Sequence, residues 1–134
     1  MSGQGASGSG RKKPTAARSR GNLGETLALE YLTRRGYVAV CRGYRTRYGE
    51  IDLIVRDDRY IVFVEVKLRK SDAFAQAREF VGRSKQLKIR TTAMMWLASH
   101  ETALQPRFDV VEVYARDEAG APPPRINHIE NAFS

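Results

Sequence analysis

Two apolar, strand-like runs constrain this chain more than any other feature: Gly49-Glu50-Ile51-Asp52-Leu53-Ile54 and Phe63-Val64-Glu65-Val66-Lys67. A short polar connection over 56–59 lies between them, of the length that joins antiparallel strands. Both runs carry acids among aliphatic residues, and the second also carries a lysine. A carboxylate in an apolar strand is costly unless it is paired, bound to a metal or protonated. The hairpin therefore points to chemistry as well as to packing.

Side chains alternate faces along a strand. Asp52 is expected to share a face with Glu50 and Ile54, with Ile51, Leu53 and Val55 on the other. Glu65 and Lys67 share a face opposite Val64 and Val66. A hairpin symmetric about Asp58-Arg59 sets Asp57 across from Tyr60 and Asp52 across from Glu65. Directly opposed residues have Cβ atoms about 4.5–5.5 Å apart and point to the same side. Two carboxylates so placed repel, and a divalent cation between them reverses the sign. Mg²⁺ (or Mn²⁺) suits an all-oxygen site of one or two carboxylates completed by water and phosphate. Lys67 on the same face would stabilise developing negative charge or orient an attacking water. The pattern is that of metal-assisted phosphodiester hydrolysis. The competing explanation is a solvated sheet face, and a one-residue slip in register would turn the acids apart.

The rest of the chain supplies a frame for that hairpin. Asn22 and Glu25 have capping-box spacing before Leu23, Leu27, Ala28, Tyr31 and Leu32, which recur with helical period. Order is expected to begin at Gly21. Strands are expected over 37–45, 50–55, 60–68 and 108–114, a helix over 83–99 with Leu87, Met94 and Leu97 among its apolar positions, and a short edge strand over 125–129. The segment 69–82 reads as a mobile loop with some helix. The order is α-β-β-β-α-β, an α/β fold in which a mixed central sheet is flanked by helices. Glu25 either completes the capping box or, bordering the apolar side of its helix, faces the sheet.

The chain of 134 residues fits one domain, read as 21–134, preceded by a small, basic, low-complexity arm over 1–20. The formal net charge is +8, and Arg11, Lys12, Lys13, Arg18 and Arg20 of the arm carry +5 of it, leaving +3 for the remainder. Such a balance favours polyanions, nucleic acid first. Within the domain, Arg69 and Lys70 end the third strand, and Arg83, Lys85, Gln86 and Lys88 open the second helix. These cations either contact phosphates or form a solvated helix face. Cys41 is the single cysteine, which excludes an intrachain disulfide and is compatible with a cytoplasmic location. No apolar run reaches the ~20 residues of a membrane span. His100 and His128 show no metal-ligand spacing and read as surface or edge residues. Trp96 reads as core. There is no glycine-rich phosphate loop.

Taken together, Gly21-x-x-Gly24-Glu25-x-x-Ala28-x-x-Tyr31-Leu32, Gly36-Tyr37, Gly49-Glu50-Ile51-Asp52-Leu53-Ile54, Phe63-Val64-Glu65-Val66-Lys67-x-Arg69 and Arg107-Phe108-Asp109-Val110 resemble the YraN family of small bacterial proteins. The resemblance spans roughly 21–133. That family is similar in fold to the PD-(D/E)xK nucleases, including archaeal Holliday-junction resolvases, and so implies a restriction-endonuclease-like core. It implies that Asp52 is the first acid of the signature, Glu65 and Lys67 its (D/E)xK half, and Glu25 the acid of the first helix. It further implies that the Val66 carbonyl joins Asp52 and Glu65 as a metal ligand, and that Lys85 or Gln86 supplies an auxiliary polar group. Ile51 stands where the signature often has proline. The function implied is a metal-dependent endonuclease acting on DNA, including branched or damaged forms. The alternative is a nucleic-acid-binding or repair-partner module on the same fold that does not cut. A homodimer is compatible with the sequence, which carries no interface signal either way.

Overall fold

The computed structural model describes residues 16–69, 81–116 and 119–133. Helix α1 (Ala16–Arg34) leads into strands β1 (Val38–Thr46), β2 (Gly49–Arg56) and β3 (Tyr60–Arg69). Helix α2 (Arg83–Ser99) then precedes β4 (Gln105–Tyr114) and β5 (Arg125–Ile129). The strands form one sheet in the order β1-β2-β3-β4-β5. Only β3 and β4 run parallel, because α2 carries the chain back across the sheet between them. The other neighbours are antiparallel. This is the expected α-β-β-β-α-β mixed sheet, and it matches a restriction-endonuclease-like core.

Alternation along β3 divides the core in two. Val62 and Val64 pack with Leu53, Val55, Val111 and Val113 beneath Ala28 and Leu32 of α1. Ile61 and Phe63 pack with Ile54 and Val110 beneath Ile89, Ala93 and Trp96 of α2. The sheet is thus sandwiched between the two helices. The expected symmetric register holds over Leu53↔Val64, Ile54↔Phe63, Val55↔Val62 and Arg56↔Ile61. The Asp57 carboxylate fixes the turn by accepting from the backbone N–H groups of Arg59 at 2.8 Å and Tyr60 at 2.7 Å.

Three expectations are corrected. First, α1 begins at Ala16, so residues 16–20 are helix and Asn22 is an interior residue that cannot cap it. Ala16, Ala17, Arg18 and Arg20 are strong helix formers, and together they offset the cost of Gly21 and Gly24. Residues 1–15 of the expected arm lie outside the described residues, as does 70–80 of the expected mobile loop. Second, Leu87 and Met94 do not face the core; they are 65% and 68% exposed. The buried face of α2 is Ile89, Thr92, Ala93 and Trp96. It is selected by the approach of β2: a Cβ on Gly49 would lie 3.0 Å from Thr92 Oγ1 and 3.4 Å from the Lys88 carbonyl oxygen. Third, Ile51 does not share the face of Leu53. It packs with Ile54 in the cluster under α2, whereas Leu53 and Val55 pack under α1. The alternation of β2 is broken at Asp52.

Candidate functional site

Asp52 sits one residue beyond the end of the β2–β3 ladder, opposite Gly43 of β1. Toward β3 the ladder ends at Leu53↔Val64. Toward β1 the paired residues Arg42↔Leu53 and Tyr44↔Ile51 flank Gly43, whose φ of +73° is readily adopted only by glycine. The Asp52 carboxylate turns to β3 and accepts the Val66 N–H on Oδ2 at 2.8 Å. The first acid is therefore fastened to the backbone one residue past the second acid.

Glu65 lies on the α2 side of β3 and is 5% exposed. Two lysines reach its Oε2: Lys85 Nζ at 2.6 Å from the start of α2, and Lys67 Nζ at 3.5 Å from the same strand. Lys85 is half exposed while Glu65 is nearly enclosed, so the pair spans the mouth and the floor of one cleft. That cleft, about 500 Å³, is bounded by Gly49, Glu50 and Asp52 of β2, Glu65 of β3, and Ser84, Lys85, Lys88 and Ile89 of α2. The expected convergence of Asp52, Glu65 and Lys67 is present, with Lys85 and Lys88 added from the helix.

Electrostatics separate the two acids. Burial, then the negative charge of Glu65, push the Asp52 carboxyl up from 3.8 to about 7; Glu25 and Glu50 add to the rise, and the Val66 N–H opposes it. Burial would lower the Lys85 ammonium, but its hydrogen bond and charge contact with Glu65, together with Asp52, outweigh that and hold it above its usual value. Glu65 is thus supplied with cations, whereas Asp52 is buried among acids.

The donor set suits a hard divalent ion: carboxylate oxygens from Asp52 and Glu65 on adjacent strands, beside the Val66 peptide. Among the described residues no three His, Cys, Asp or Glu side chains cluster tightly enough to form a closed protein cage. An Mg²⁺-type site needs none, since water and phosphate complete its coordination.

The remaining expected residues fall in different places. Glu25 faces the sheet. It pairs with Arg42 Nε of β1 at 3.4 Å, and its charge is felt at Asp52. The close approach of Gly24 to Leu68 and Val66 brings it there. Arg83 is exposed at the first turn of α2. Gln86 turns back to donate to the Val81 carbonyl at 2.8 Å, so it closes the start of α2 instead of lining the cleft. Arg69 is buried and ion-paired with Glu112 at 3.4 Å, which takes it away from a solvent-borne phosphate. Lys70 lies outside the described residues.

A second polar cluster, on the α1 face, was not anticipated. Asp109 is fully buried and accepts from Arg107 Nε at 2.9 Å, Arg107 Nη2 at 2.8 Å and the Asn131 N–H at 3.0 Å. His128 Nε2 lies 2.7 Å from Asp109 Oδ2, and its Nδ1 lies 3.2 Å from the Tyr31 hydroxyl. Of the expectation that His128 is a surface or edge residue, the edge holds, since it lies on edge strand β5, but its side chain is only 4% exposed. The signal in the sequence was the alternation of β5, which turns Ile126 and His128 inward together.

The model of an uncharacterised protein family, UPF0102, matches residues 24–113. The chain belongs to the UPF0102 family. This agrees with the YraN resemblance carried by the sequence motifs. A UPF0102 protein of Vibrio parahaemolyticus is 44% identical over 118 residues, covering 85% of this chain and 91% of the relative. A UPF0102 protein of Geotalea uraniireducens is 43% identical, covering 87% of this chain and 90% of the relative. One from Caldanaerobacter subterraneus is 42% identical, covering 84% and 93%. The matched span of the family model includes Glu25, Asp52, Glu65, Lys67 and Lys85. No helix among the described residues is long and apolar enough to cross a membrane.

Proposed function

We propose that this UPF0102 protein is a metal-dependent nuclease that hydrolyses phosphodiester bonds in DNA within the cleft of Asp52 and Glu65. One observation carries it: two carboxylates from adjacent strands meet in one cleft with Lys85, Lys67 lies 3.5 Å from Glu65, and burial and the neighbouring acids raise the Asp52 carboxyl. Asp52 and Glu65, with the Val66 carbonyl, would hold Mg²⁺ or Mn²⁺. When bound, such an ion lowers the pKa of water and neutralises charge on a phosphate. Lys67 is positioned to stabilise negative charge that develops on the phosphate oxygens. Lys85 can exchange Glu65 for the phosphate, since its ammonium already reaches the floor of the cleft. Arg83 and Lys88 on the exposed side of α2 would take flanking phosphates without regard to sequence. Glu25 acts at a distance by keeping the Asp52 site negative. A cytoplasmic location accords with this substrate and with the free thiol of Cys41.

Calorimetric titration with Mg²⁺ and with Mn²⁺ tests the site before any substrate is known. Wild type should bind and Asp52→Asn should lose binding. Duplex, single-stranded, flap and four-way DNA should then be offered with each metal. Cleavage should depend on metal and fall by at least ~10²-fold in a folded Glu65→Ala variant. No cleavage of any substrate with either metal would end the nuclease assignment.

A second function, nucleic-acid binding without cleavage, is favoured by the 2.6 Å Lys85–Glu65 contact, which pairs Glu65 within the chain. It predicts salt-sensitive binding that survives Asp52→Asn and yields no product.

A further inference from the structure

The turn joining β1 to β2 carries an aromatic ring that neither core cluster uses. Tyr48 is 43% exposed and belongs to neither the α1-side nor the α2-side packing. Its ring is nevertheless held. The Arg47 guanidinium carbon lies 5.0 Å from the ring centroid, and Arg47 Nη2 donates to the Tyr48 hydroxyl at 2.9 Å. The backbone beneath it is held as well: Thr46 Oγ1 accepts the Tyr48 N–H at 3.0 Å and donates to the Gly49 carbonyl at 3.4 Å. An exposed side chain ordinarily spends its rotamer freedom in water. The Arg47 contacts favour one placement of this ring although it stays partly in water.

Its location gives that order a use. Gly49 and Glu50, the next two residues, form the wall of the Asp52–Glu65 cleft. Arg45, on the other arm of the turn, holds the Glu50 carboxylate at 3.2 Å. The turn that carries the ring thus adjoins the wall of the cleft, with Arg47 on the ring and Arg45 on Glu50. Phosphate attraction alone would call for cations and no aromatic. A π-face beside a cleft that binds nucleic acid adds sequence-tolerant stacking on a base. A guanidinium over one face leaves the opposite face for that base and strengthens the platform. Paired bases inside a duplex present no free face, so such a platform selects nucleotides that are already unpaired.

We infer that Tyr48 is a base-stacking subsite, and that the cleft takes nucleic acid with an unpaired nucleotide at the rim, Arg47 positioning the ring. This rests on the proposal that the cleft binds nucleic acid, but does not require that it cuts. The test uses the full chain as Glu65→Gln in metal-free buffer, so that binding is read without cleavage. Fluorescence anisotropy would compare a labelled oligothymidylate, an abasic backbone of equal length and charge, and a blunt duplex. Tyr48→Ala should weaken oligothymidylate binding about tenfold or more and leave the abasic strand unchanged. Tyr48→Phe should restore the oligothymidylate affinity, and thermal melts of both variants should match the parent. Equal loss on the two single strands, no loss on either, or the same Tyr48 dependence with the blunt duplex would overturn the stacking subsite while leaving nucleic-acid binding intact. Failure of the parent to bind any of the three would remove both.

Discussion

Asp52 and Asp109 are both acids set into apolar strands, and the fold treats them oppositely. Asp109 receives a two-pronged arginine, an imidazole and a backbone N–H, and these hold its carboxyl below the ordinary 3.8 although burial pushes the other way. Asp52 receives one backbone N–H and faces Glu65, Glu25 and Glu50, so burial and repulsion carry it to about 7. The first cluster is complete within the chain. The second leaves Asp52 with a single hydrogen bond from the chain among the contacts of the described residues. On the proposed function, Asp109 serves stability and Asp52 serves binding, so structural and functional charges would differ inside one sheet.

The largest test of this contrast is Arg107→Met. It leaves Asp109 buried without its principal cation and removes the 2.6 Å bond to the Tyr37 hydroxyl. Urea unfolding should show a loss of about 3–5 kcal/mol. The wild-type contribution follows a depressed carboxyl, so it is present above the unfolded value of 3.8 and is lost as the pH falls through the lower folded value. A loss under about 1 kcal/mol, the range of exposed pairs, would show that the cluster is not structural.

Asp52→Asn should act in the other direction. A carboxyl raised in the folded state binds its proton where the unfolded chain has already released it. Stability attributable to Asp52 therefore falls as the pH rises from about 4 to about 7. Removing the charge should stabilise the metal-free protein at neutral pH, on the order of 2 kcal/mol, and change nothing below about pH 4. Thermal melts in chelator across that range would check it, and parallel pH slopes for wild type and variant would refute it. Added Mg²⁺ should raise the melting temperature of wild type and not that of Asp52→Asn.

The two clusters also differ in how readable they were. Asp52, Glu65 and Lys67 could be brought together from sequence because a two-stranded antiparallel unit with a short connection has few registers, and its faces follow from parity. Even there, the place of Asp52 just beyond the β2–β3 ladder, the turn of Ile51 and the Lys85 contact depend on Gly43 and on the seating of α2, which no local pattern encodes. The Asp109 cluster draws on β4, β5, α1 and the start of β1. Residues as far apart as Tyr31 and His128 meet only once the sheet order is known. The buried face of α2 was open in the sequence for a related reason: Leu87 and Met94 have helical spacing, but so do Ile89, Ala93 and Trp96, and contact with Gly49 decides between them.

Gly49→Ala probes that seating. The added Cβ meets Thr92 Oγ1 at 3.0 Å, and the cost should be about 1 kcal/mol, the low end of overpacking penalties. Because Lys85 and Lys88 ride on the same helix, displacement of α2 should weaken metal and nucleic-acid binding more than it weakens the fold. Equal proportional losses in the melt and in the titration would show that the cleft does not depend on this contact.

Lys85→Met is the counterpart of Arg107→Met and should have the smallest effect on stability. Both variants take a cation from a buried acid. Glu65, however, keeps Lys67 at 3.5 Å, and its lost partner is half exposed, so water and the second lysine can take over. Solvent screening limits such a pair to under about 1 kcal/mol. The Lys85 ammonium is raised, so whatever it contributes is fully present below the unfolded 10.5 and disappears only above that. It is constant across neutral pH, where Asp52 titrates. A melt within about 1 kcal/mol of wild type, set against the collapse of Arg107→Met, would show that the cleft holds its charges loosely enough to exchange them for a ligand. A loss as large as that of Arg107→Met would make Glu65–Lys85 a second structural pair and remove the distinction between the two faces of the sheet.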